Sequence, residues 1–462
     1  GFTLGDDADL KIETTNGAIS VGAIAGTAGL KATDVILDAG TSTTSIGAVA
    51  TDINDLTVSG TGVITLTGDI TTEDSTAAGD NGATAEDGAQ SYAGAVVIHG
   101  GDLTLTTGGG GASFSSTINS QASQARALTI ANTDGAVSVT GAIGTGTNGA
   151  LGALIIGTAE AAGNTGNITL AAIGTDSAAG AASITVGNSR TGTLTLGGVE
   201  YFSTGAQTWE SDDFNLTGAD ITIQTTDSNV TFQDGGTGQI VLSDTADLTI
   251  DTGSGGGNIS ITPTIAGTTG GANRSEDITL DAGTGNIELL NTAAAVIATD
   301  IGDVTLTGTT ISLYDNITTT GTDSGGVQTE IDINGAVVLE DAVTITSTGG
   351  NIDFSSTIKS DSTARNFTIS SGAGTVNIVG NIGGATDTDL AAIDINASAG
   401  AGNITLGGDI GTDSISGATT IDIGNAATGT LSLDGAEYSS TGIQTFTADA
   451  FDLAGTCLLY TS

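Results

Sequence analysis

The chain has few of the residues on which ordinary globular domains rely. Its 462 residues include one Cys, one Pro, one Trp, one His and no Met, and aromatic residues make up 3%. A lone Cys excludes an intramolecular disulfide, and His99 alone gives no basis for a zinc site or a catalytic triad. So few aromatics argue against a conventional core and favour thin layers of Val, Ile, Leu and Ala.

Basic residues are also scarce, since 7 Lys and Arg stand against 52 Asp and Glu, which gives a net charge of −45. Such a charge argues against binding of nucleic acid and against docking on anionic membranes. It is compatible with the solubility of a secreted protein, and also with structural calcium held by carboxylates. No apolar run approaches the ~20 residues that span a bilayer, so we predict no membrane insertion in this segment.

What the chain does contain is a long internal repeat. The segment Thr191–Gly218 returns 237 residues later at Thr428–Gly455, with 17 of 28 positions identical. The correspondence continues over nearly the whole chain, for example as LDAGT at 37–41 and again at 280–284. We therefore predict two tandem copies of a repeat of about 237 residues, at 1–238 and 239–456, the second truncated. Repeats of this length are typical of large surface and fibrous proteins.

The last six residues, 457–462, depart from the repeat. They can be back-translated as TGT CTC TTA TAC ACA TCT, which resembles the mosaic-end adapter of transposase-based sequencing libraries. We interpret this segment as translated adapter, so that Cys457 is not native. On this interpretation the chain is a fragment of a longer protein.

Short triplets with an apolar, polar, apolar pattern recur in both copies and predict β-strands. Gly, Asn or Asp bounds each triplet, and these residues tolerate the backbone of tight corners. Short strands, abundant Gly and a near absence of Pro favour a parallel β-solenoid over a β-sandwich, so the predicted fold class is all-β. The triplets are Leu103–Leu105, Ile168–Leu170, Leu194–Leu196, Ile221–Ile223, Ile278–Leu280, Val304–Leu306, Ile404–Leu406 and Leu431–Leu433.

The style of GNITL at 166–170 and 402–406, GDVTLTG at 302–308 and ADLTI at 246–250 resembles the large β-strand-repeat exoproteins of bacteria. Filamentous haemagglutinin-like adhesins are the familiar members of that group. The resemblance implies a right-handed parallel β-helix, export across the outer membrane and an extracellular or cell-surface location. It also implies a role in adhesion or surface coating.

The most distinctive unit of each copy is EYxSTGxQT followed by an aromatic residue. Tyr and Trp beside Gln could form a sugar-stacking patch that reads hydroxyl groups. Alternatively, the aromatic rings fill a wider coil of the solenoid. The candidate ligand-binding residues are Tyr201, Gln207 and Trp209 in the first copy and Tyr438, Gln444 and Phe446 in the second.

Arg126 and Arg365 occupy matching places in QARALTI and TARNFTI. Arg in both copies of so acidic a chain predicts a structural ion pair with a carboxylate, or a contact between subunits.

These observations predict a structural protein, not an enzyme. We expect an extracellular or cell-surface fibre, sheath or adhesin stalk, which could self-associate into filaments through unpaired strands at the coil ends. One alternative is a carbohydrate-binding adhesin with a glycan or cell-surface ligand. Another is a β-helical polysaccharide-degrading enzyme, which needs a positioned pair of carboxylates. No cofactor is expected beyond possible structural calcium, and the identity of any metal is left open.

Overall fold

In a computed structural model, the chain is all-β and its parallel strands stack as a β-solenoid, as predicted. None of the described residues lies in a helix. They fall into two compact units, which are residues 1–226 with 233–238 and residues 227–232 with 239–462. The structure describes residues 1–5, 8–27, 33–50, 52–73, 88–132, 135–145, 149–157, 166–175, 178–189, 191–234, 238–244, 246–268, 276–290, 297, 300–320, 330–384, 389–396, 402–412, 417–454 and 458–461.

The first unit consists of short strands. They are β1 (Phe2–Leu4), β2 (Leu10–Glu13), β3 (Ile19–Val21), β4 (Ile24–Gly26), β5 (Val35–Asp38), β6 (Thr44–Ile46), β7 (Leu56–Val58), β8 (Ile64–Leu66), β9 (Ile70–Thr71), β10 (Gln90–Tyr92), β11 (Val96–Ile98), β12 (Leu103–Thr107), β13 (Ala112–Phe114), β14 (Ile118–Ser120), β15 (Leu128–Asn132), β16 (Val137–Val139), β17 (Leu151–Ile156), β18 (Ile168–Leu170), β19 (Ala181–Gly187), β20 (Thr193–Leu196), β21 (Glu200–Ser203), β22 (Gln207–Glu210), β23 (Asp213–Leu216) and β24 (Ile221–Thr225).

The second unit continues in the same style, beginning with a strand whose last residue belongs to the first unit. Its strands are β25 (Val230–Gln233), β26 (Gln239–Leu242), β27 (Leu248–Asp251), β28 (Ile259–Ile261), β29 (Thr264–Ala266), β30 (Glu276–Asp281), β31 (Asn286–Leu289), β32 (Ile301–Leu313), β33 (Ile317–Thr319), β34 (Ile331–Leu339), β35 (Val343–Ser347), β36 (Ile352–Phe354), β37 (Ile358–Ser360), β38 (Phe367–Ser370), β39 (Val376–Ile378), β40 (Leu390–Asn396), β41 (Ile404–Leu406), β42 (Ala418–Ile423), β43 (Thr430–Leu433), β44 (Glu437–Ser440), β45 (Gln444–Phe446), β46 (Ala450–Leu453) and β47 (Leu458–Thr461).

All eight predicted triplets lie inside strands of these bounds, so that part of the prediction is confirmed. Of the segment interpreted as adapter, Cys457 and Ser462 lie outside the described residues, whereas Leu458–Thr461 form β47.

In the first unit, parallel strands of successive coils pair in three series. One series runs β2, β5, β7, β10, β13, β16, β18, β20 and β23. A second runs β3, β6, β8, β11 and β14, and a third runs β9, β12, β15, β17, β19 and β22. Leu56 pairs with Val35, 21 residues earlier, and with Gln90, 34 residues later, so the coils differ in length.

The second unit is built in the same way. One series runs β36, β39, β41, β43 and β46, and another runs β33, β35, β38, β40, β42 and β45. Gly424, which follows β42, and Gly187, at the end of β19 in the first unit, match in sequence, and both have positive φ, 78° and 85°. A Cβ at Gly187 would collide with the backbone oxygen of Glu210, so Gly is required there for space as well as for conformation.

The core of each unit consists of aliphatic side chains stacked coil upon coil. Strands alternate buried and outward positions, and the register places Ile168 on Leu194 and Leu170 on Leu196. Burying each such side chain contributes about 1.5–3 kcal/mol, so many side chains of similar size stabilise the core together. This regularity makes the few aromatic and polar interruptions of the core conspicuous.

Candidate functional site

The aromatic unit of the first copy interrupts a column of isoleucines, which continues at Ile223, the partner of Tyr201 in the next coil. Single parallel bridges join Ile118 to Ile143, Ile143 to Ile173 and Ile173 to Tyr201. The position that holds Ile in three coils therefore holds Tyr in the next one. β22 follows at once and pairs with β19, which places Trp209 on Val186.

Tyr201 fills its position with both an apolar ring and a satisfied hydroxyl. The hydroxyl accepts a hydrogen bond from the backbone N–H of Gly198 (2.9 Å) and donates one to the carbonyl oxygen of Leu170 (3.1 Å). The side chain is fully buried, and this burial raises the pKa of Tyr201 despite a smaller opposing effect of the Gly198 N–H. A buried phenol locked by two backbone groups is a structural element, because its one O–H donor is used and its oxygen is shielded from a ligand.

Gln207 ties this coil together through its side-chain amide. Its Nε2 donates to the carbonyl oxygens of Tyr201 (2.9 Å) and Gln224 (2.8 Å). Its Oε1 accepts from Nε1 of Trp209 (3.2 Å), and the Trp209 ring packs edge-on against Tyr201 with centroids 5.6 Å apart. The buried polar groups of this cluster are therefore paired with one another, as burial requires.

The sugar-stacking interpretation of Tyr201, Gln207 and Trp209 does not fit this geometry. All three side chains have 0% exposure. Stacking needs an exposed ring face, so in this structure the rings cannot contact a sugar. The arrangement fits the alternative interpretation, in which the aromatic unit fills a wide coil.

The second copy repeats the network with one substitution. The hydroxyl of Tyr438 accepts from the N–H of Gly435 (2.9 Å) and donates to Leu406 O (3.3 Å), and Gln444 Nε2 donates to Tyr438 O (3.1 Å). Phe446 replaces Trp and packs edge-on against Tyr438 at 6.3 Å. Tyr438 is fully buried, whereas Gln444 and Phe446 are half-buried. Ligand binding by Gln444 and Phe446 therefore stays a prediction.

A third cluster of this kind was missed by the sequence analysis. Gln90 and Tyr92 in β10 are both buried, and the Tyr92 hydroxyl donates to Gln90 Oε1 (2.9 Å). Gln90 Nε2 donates to Thr106 O (2.8 Å), and Tyr92 stacks on Phe114 with centroids 4.9 Å apart. The shared signal is Gln-x-aromatic, present as QSY, QTW and QTF in the three clusters.

Arg365 is held by carboxylates of its own unit. Its Nε and Nη2 donate to the two oxygens of Asp361 (3.1 and 2.9 Å), and its Nη1 reaches Asp341 at 3.3 Å. Asp361 raises the pKa of Arg365, and the Arg365 guanidinium lowers the pKa of Asp361. The backbone N–H of Arg365 donates to Ser360 Oγ (3.0 Å), which fixes the start of the following strand.

Arg126 has the same backbone setting but different side-chain partners. Its N–H donates to Ser120 Oγ (2.9 Å), matching Ser360, and its Nη2 donates to Gln124 Oε1. Gln121 stands where the second copy has Asp361. Among the residues that the structure describes, no carboxylate pairs with Arg126, so the predicted ion pair is present in the geometry of Arg365 alone.

Many of the acidic side chains have a defined task. Asp and Asn at the coil corners accept the backbone N–H of the residue one coil further on, which is a charge-assisted bond when the acceptor is Asp. Among the described residues, two series of three such bonds have Asp as every acceptor, one series in each unit. They are Asp34 N to Asp9 (3.1 Å), Asp55 N to Asp34 (3.3 Å) and Ala89 N to Asp55 (2.8 Å), and then Asp277 N to Asp247 (3.0 Å), Asp303 N to Asp277 (2.8 Å) and Glu330 N to Asp303 (2.7 Å).

No metal centre emerges from the part of the chain that the structure describes. Within it, no group of three or more His, Cys, Asp or Glu side chains could hold a metal ion. His99 lies exposed at the end of β11. A search of the described residues for a helix long and apolar enough to cross a membrane finds none.

Comparisons with known proteins give no further guidance, because no protein-family model, no curated protein and no solved structure matches this chain. The resemblance to filamentous haemagglutinin-like adhesins thus stays a prediction.

Proposed function

We propose that the chain is a structural repeat protein that forms a stiff acidic scaffold in an extracellular or cell-surface fibre, sheath or adhesin stalk. The observation that carries the proposal is the fate of the residues shared by the two copies. Tyr201 and Tyr438 make equivalent pairs of backbone hydrogen bonds. Gln207 and Gln444 each donate to the carbonyl oxygen of the Tyr in their own copy. What the repeat retains is thus a device for locking coils together, which is what a scaffold needs.

The corner carboxylates support the same proposal. Each Asp in the two series gives one coil a hydrogen bond to the next, while the net charge of −45 keeps separate molecules soluble. Structural calcium belongs to this proposal as an added partner for the remaining carboxylates. Unfolding temperatures measured with Ca²⁺ and with Mg²⁺ at equal ionic strength test for structural calcium. We expect Ca²⁺ to raise the unfolding temperature and Mg²⁺ to leave it unchanged.

Sedimentation velocity and negative-stain electron microscopy of the full chain over a range of concentrations test the scaffold role. We expect self-association into filaments that grows with concentration. A chain that stays monomeric at every concentration and releases reducing ends from a polysaccharide contradicts the proposal and favours the β-helical enzyme.

The second candidate function, carbohydrate binding, has no support at the buried Tyr201, Gln207 and Trp209. It has support on the opposite face of the same strand, β21, where outward side chains border a cavity.

A further inference from the structure

The first unit has a cavity on its outer surface, beside the coil that carries the aromatic unit. Its volume is about 290 Å³, and it is lined by Val199, Glu200, Asp220, Thr222 and Gln224. β21 and β24 form its floor, because their register places Glu200 beside Thr222. The backbone N–H of Thr222 also donates to Val199 O (2.9 Å), which fixes the edge of the cavity.

A partly exposed aromatic ring flanks this cavity. Phe202 lies two residues beyond Glu200 on the outward face of β21, in register with Gln224. Five of the nine Phe residues are completely buried, namely Phe114, Phe214, Phe232, Phe354 and Phe367. Phe202 is half-buried in the middle of a strand that is paired with its neighbour, so its exposure is a property of its outward position.

The second copy shows that the fold does not require Phe at this position. Ser439 is the matching residue, and its backbone bonds are the same: Phe202 N–H donates to Ile173 O (2.8 Å), and Ser439 N–H donates to Ile410 O (2.8 Å). Ala436 likewise replaces Val199, whereas Glu437 keeps the carboxylate of Glu200. The first copy thus carries two apolar side chains beside the cavity at positions where the second copy has small side chains.

We infer that this cavity binds one or two rings of a neutral glycan. The ring of Phe202 and the side chain of Val199 match the apolar C–H face of a pyranose, and the carboxylates, hydroxyl and amide of Glu200, Asp220, Thr222 and Gln224 match its hydroxyl groups. A volume near the lower end of the ~300–1,000 Å³ of ligand pockets suits a short sugar segment.

The charge of the cavity and its number of oxygen ligands argue against two other ligands, an acidic sugar and a calcium ion. Two lining carboxylates on a chain of net charge −45 repel uronic acids and sulfated sugars, so the glycan is neutral. Two carboxylates also supply too few of the 6–8 oxygen ligands that calcium takes, and the described residues contain no cluster of three acidic side chains there. The inference does not depend on the scaffold role, since a monomeric chain would carry the same cavity.

Isothermal titration calorimetry with the full chain tests the inference. The probes are neutral tetrasaccharides (cello-, xylo-, manno- and galacto-configured), oligogalacturonate, and CaCl₂ without sugar. Co-sedimentation with the matching insoluble polysaccharides separates recognition of a free oligosaccharide from recognition of a wall or matrix polymer. We expect at least one neutral tetrasaccharide to bind with a Kd at or below about 1 mM.

Variants taken from the second copy provide the controls. Phe202→Ser should weaken sugar binding about fivefold to tenfold while the chain stays folded, since Ser439 makes the same backbone hydrogen bond in the other copy. Val199→Ala and Glu200→Gln should weaken it as well, and Glu437→Gln should leave it unchanged. Binding that no first-copy variant alters, binding of oligogalacturonate or Ca²⁺ alone, or no binding of any neutral sugar overturns the inference.

Discussion

The two copies solve the same packing problem with two residues in common and one exchanged. In both, Tyr follows three Ile residues of one column and locks its hydroxyl between two backbone groups, while a Gln amide donates to the carbonyl of that Tyr. The partner ring is Trp209 in one copy and Phe446 in the other. At these three positions, identity marks the residues that hydrogen-bond the backbone, and exchange marks a site that two different rings fill.

The arginines teach the opposite lesson. Arg126 and Arg365 are identical and share a Ser partner for their backbone, yet only Arg365 faces carboxylates among the described residues. The Arg present in both copies has the same backbone hydrogen bond in the turn before the strand. The ion pair of Arg365 depends on Asp361, which the first copy lacks. The following predictions test these comparisons.

The largest effect is expected at the exchanged ring. Trp209→Ala should lower the free energy of unfolding by about 3–5 kcal/mol, because it empties a fully buried site. Phe446→Ala should cost about 1–2 kcal/mol, since that ring is half-buried. Urea denaturation followed by circular dichroism gives the totals, and hydrogen exchange of β22 and β45 assigns each loss to its coil. Equal losses would contradict the difference in burial.

Next comes the shared hydroxyl. Tyr201→Phe and Tyr438→Phe should each lower the free energy of unfolding by about 1–3 kcal/mol, because each removes the acceptor of one backbone N–H and one of the two donors to a Leu carbonyl. The two losses should agree within about 0.5 kcal/mol, an agreement that urea titrations of the two variants can resolve. A neutral effect at either site would show that its hydroxyl does not lock the coil.

Substitutions of the two arginines should differ less in their effect on the free energy of unfolding. Arg365→Gln should cost about 0.5–1 kcal/mol, and the loss should shrink at high salt, because a partly exposed bidentate pair is removed. Arg126→Gln should cost less and respond little to salt. Stability measured at low and at molar NaCl distinguishes the two, and equal salt dependence would mean that Arg126 has a carboxylate partner after all.

The smallest effect is a pH dependence within the second unit. Burial, and then the charges of Asp353 and Asp303, raise the pKa of Asp332 above the usual value of 3.8. The folded state therefore favours the protonated form, so stability rises as pH falls through the raised pKa. The pKa of Asp361 is lowered, so its contribution is present above 3.8 and is lost as pH falls through the lowered value.

Asp332→Asn should thus be more stable than the unmodified chain at neutral pH, and the advantage should vanish below about pH 4. Unfolding free energies of both proteins at a series of pH values measure this difference directly. A difference that does not depend on pH would assign the effect of the substitution to packing rather than to charge.

Much of the fold could be predicted from the sequence because the local residue pattern identifies each strand. Ile-Thr-Leu flanked by Gly or Asn has one apolar face at period two, and stacking such triplets needs no further information. The direction of the aromatic unit could not be predicted in this way. In Glu200-Tyr201-Phe202-Ser203, alternation places Tyr and Phe on opposite faces, but which one is buried depends on Ile173 in the preceding coil. The contact of Arg365 with Asp341 depends likewise on a residue of the preceding coil.

The central claim is that the aromatic units shared by the copies are buried scaffold, and the single Trp makes it testable in one measurement. Trp209 has 0% exposure, and its Nε1 donates to a buried Gln. Its fluorescence should be blue-shifted, nearly insensitive to quenching by acrylamide and iodide, and unchanged by saturating neutral oligosaccharide bound beside Phe202. A red-shifted emission that acrylamide quenches readily and that sugar protects would contradict the account, because it would place Trp209 on a sugar-binding surface.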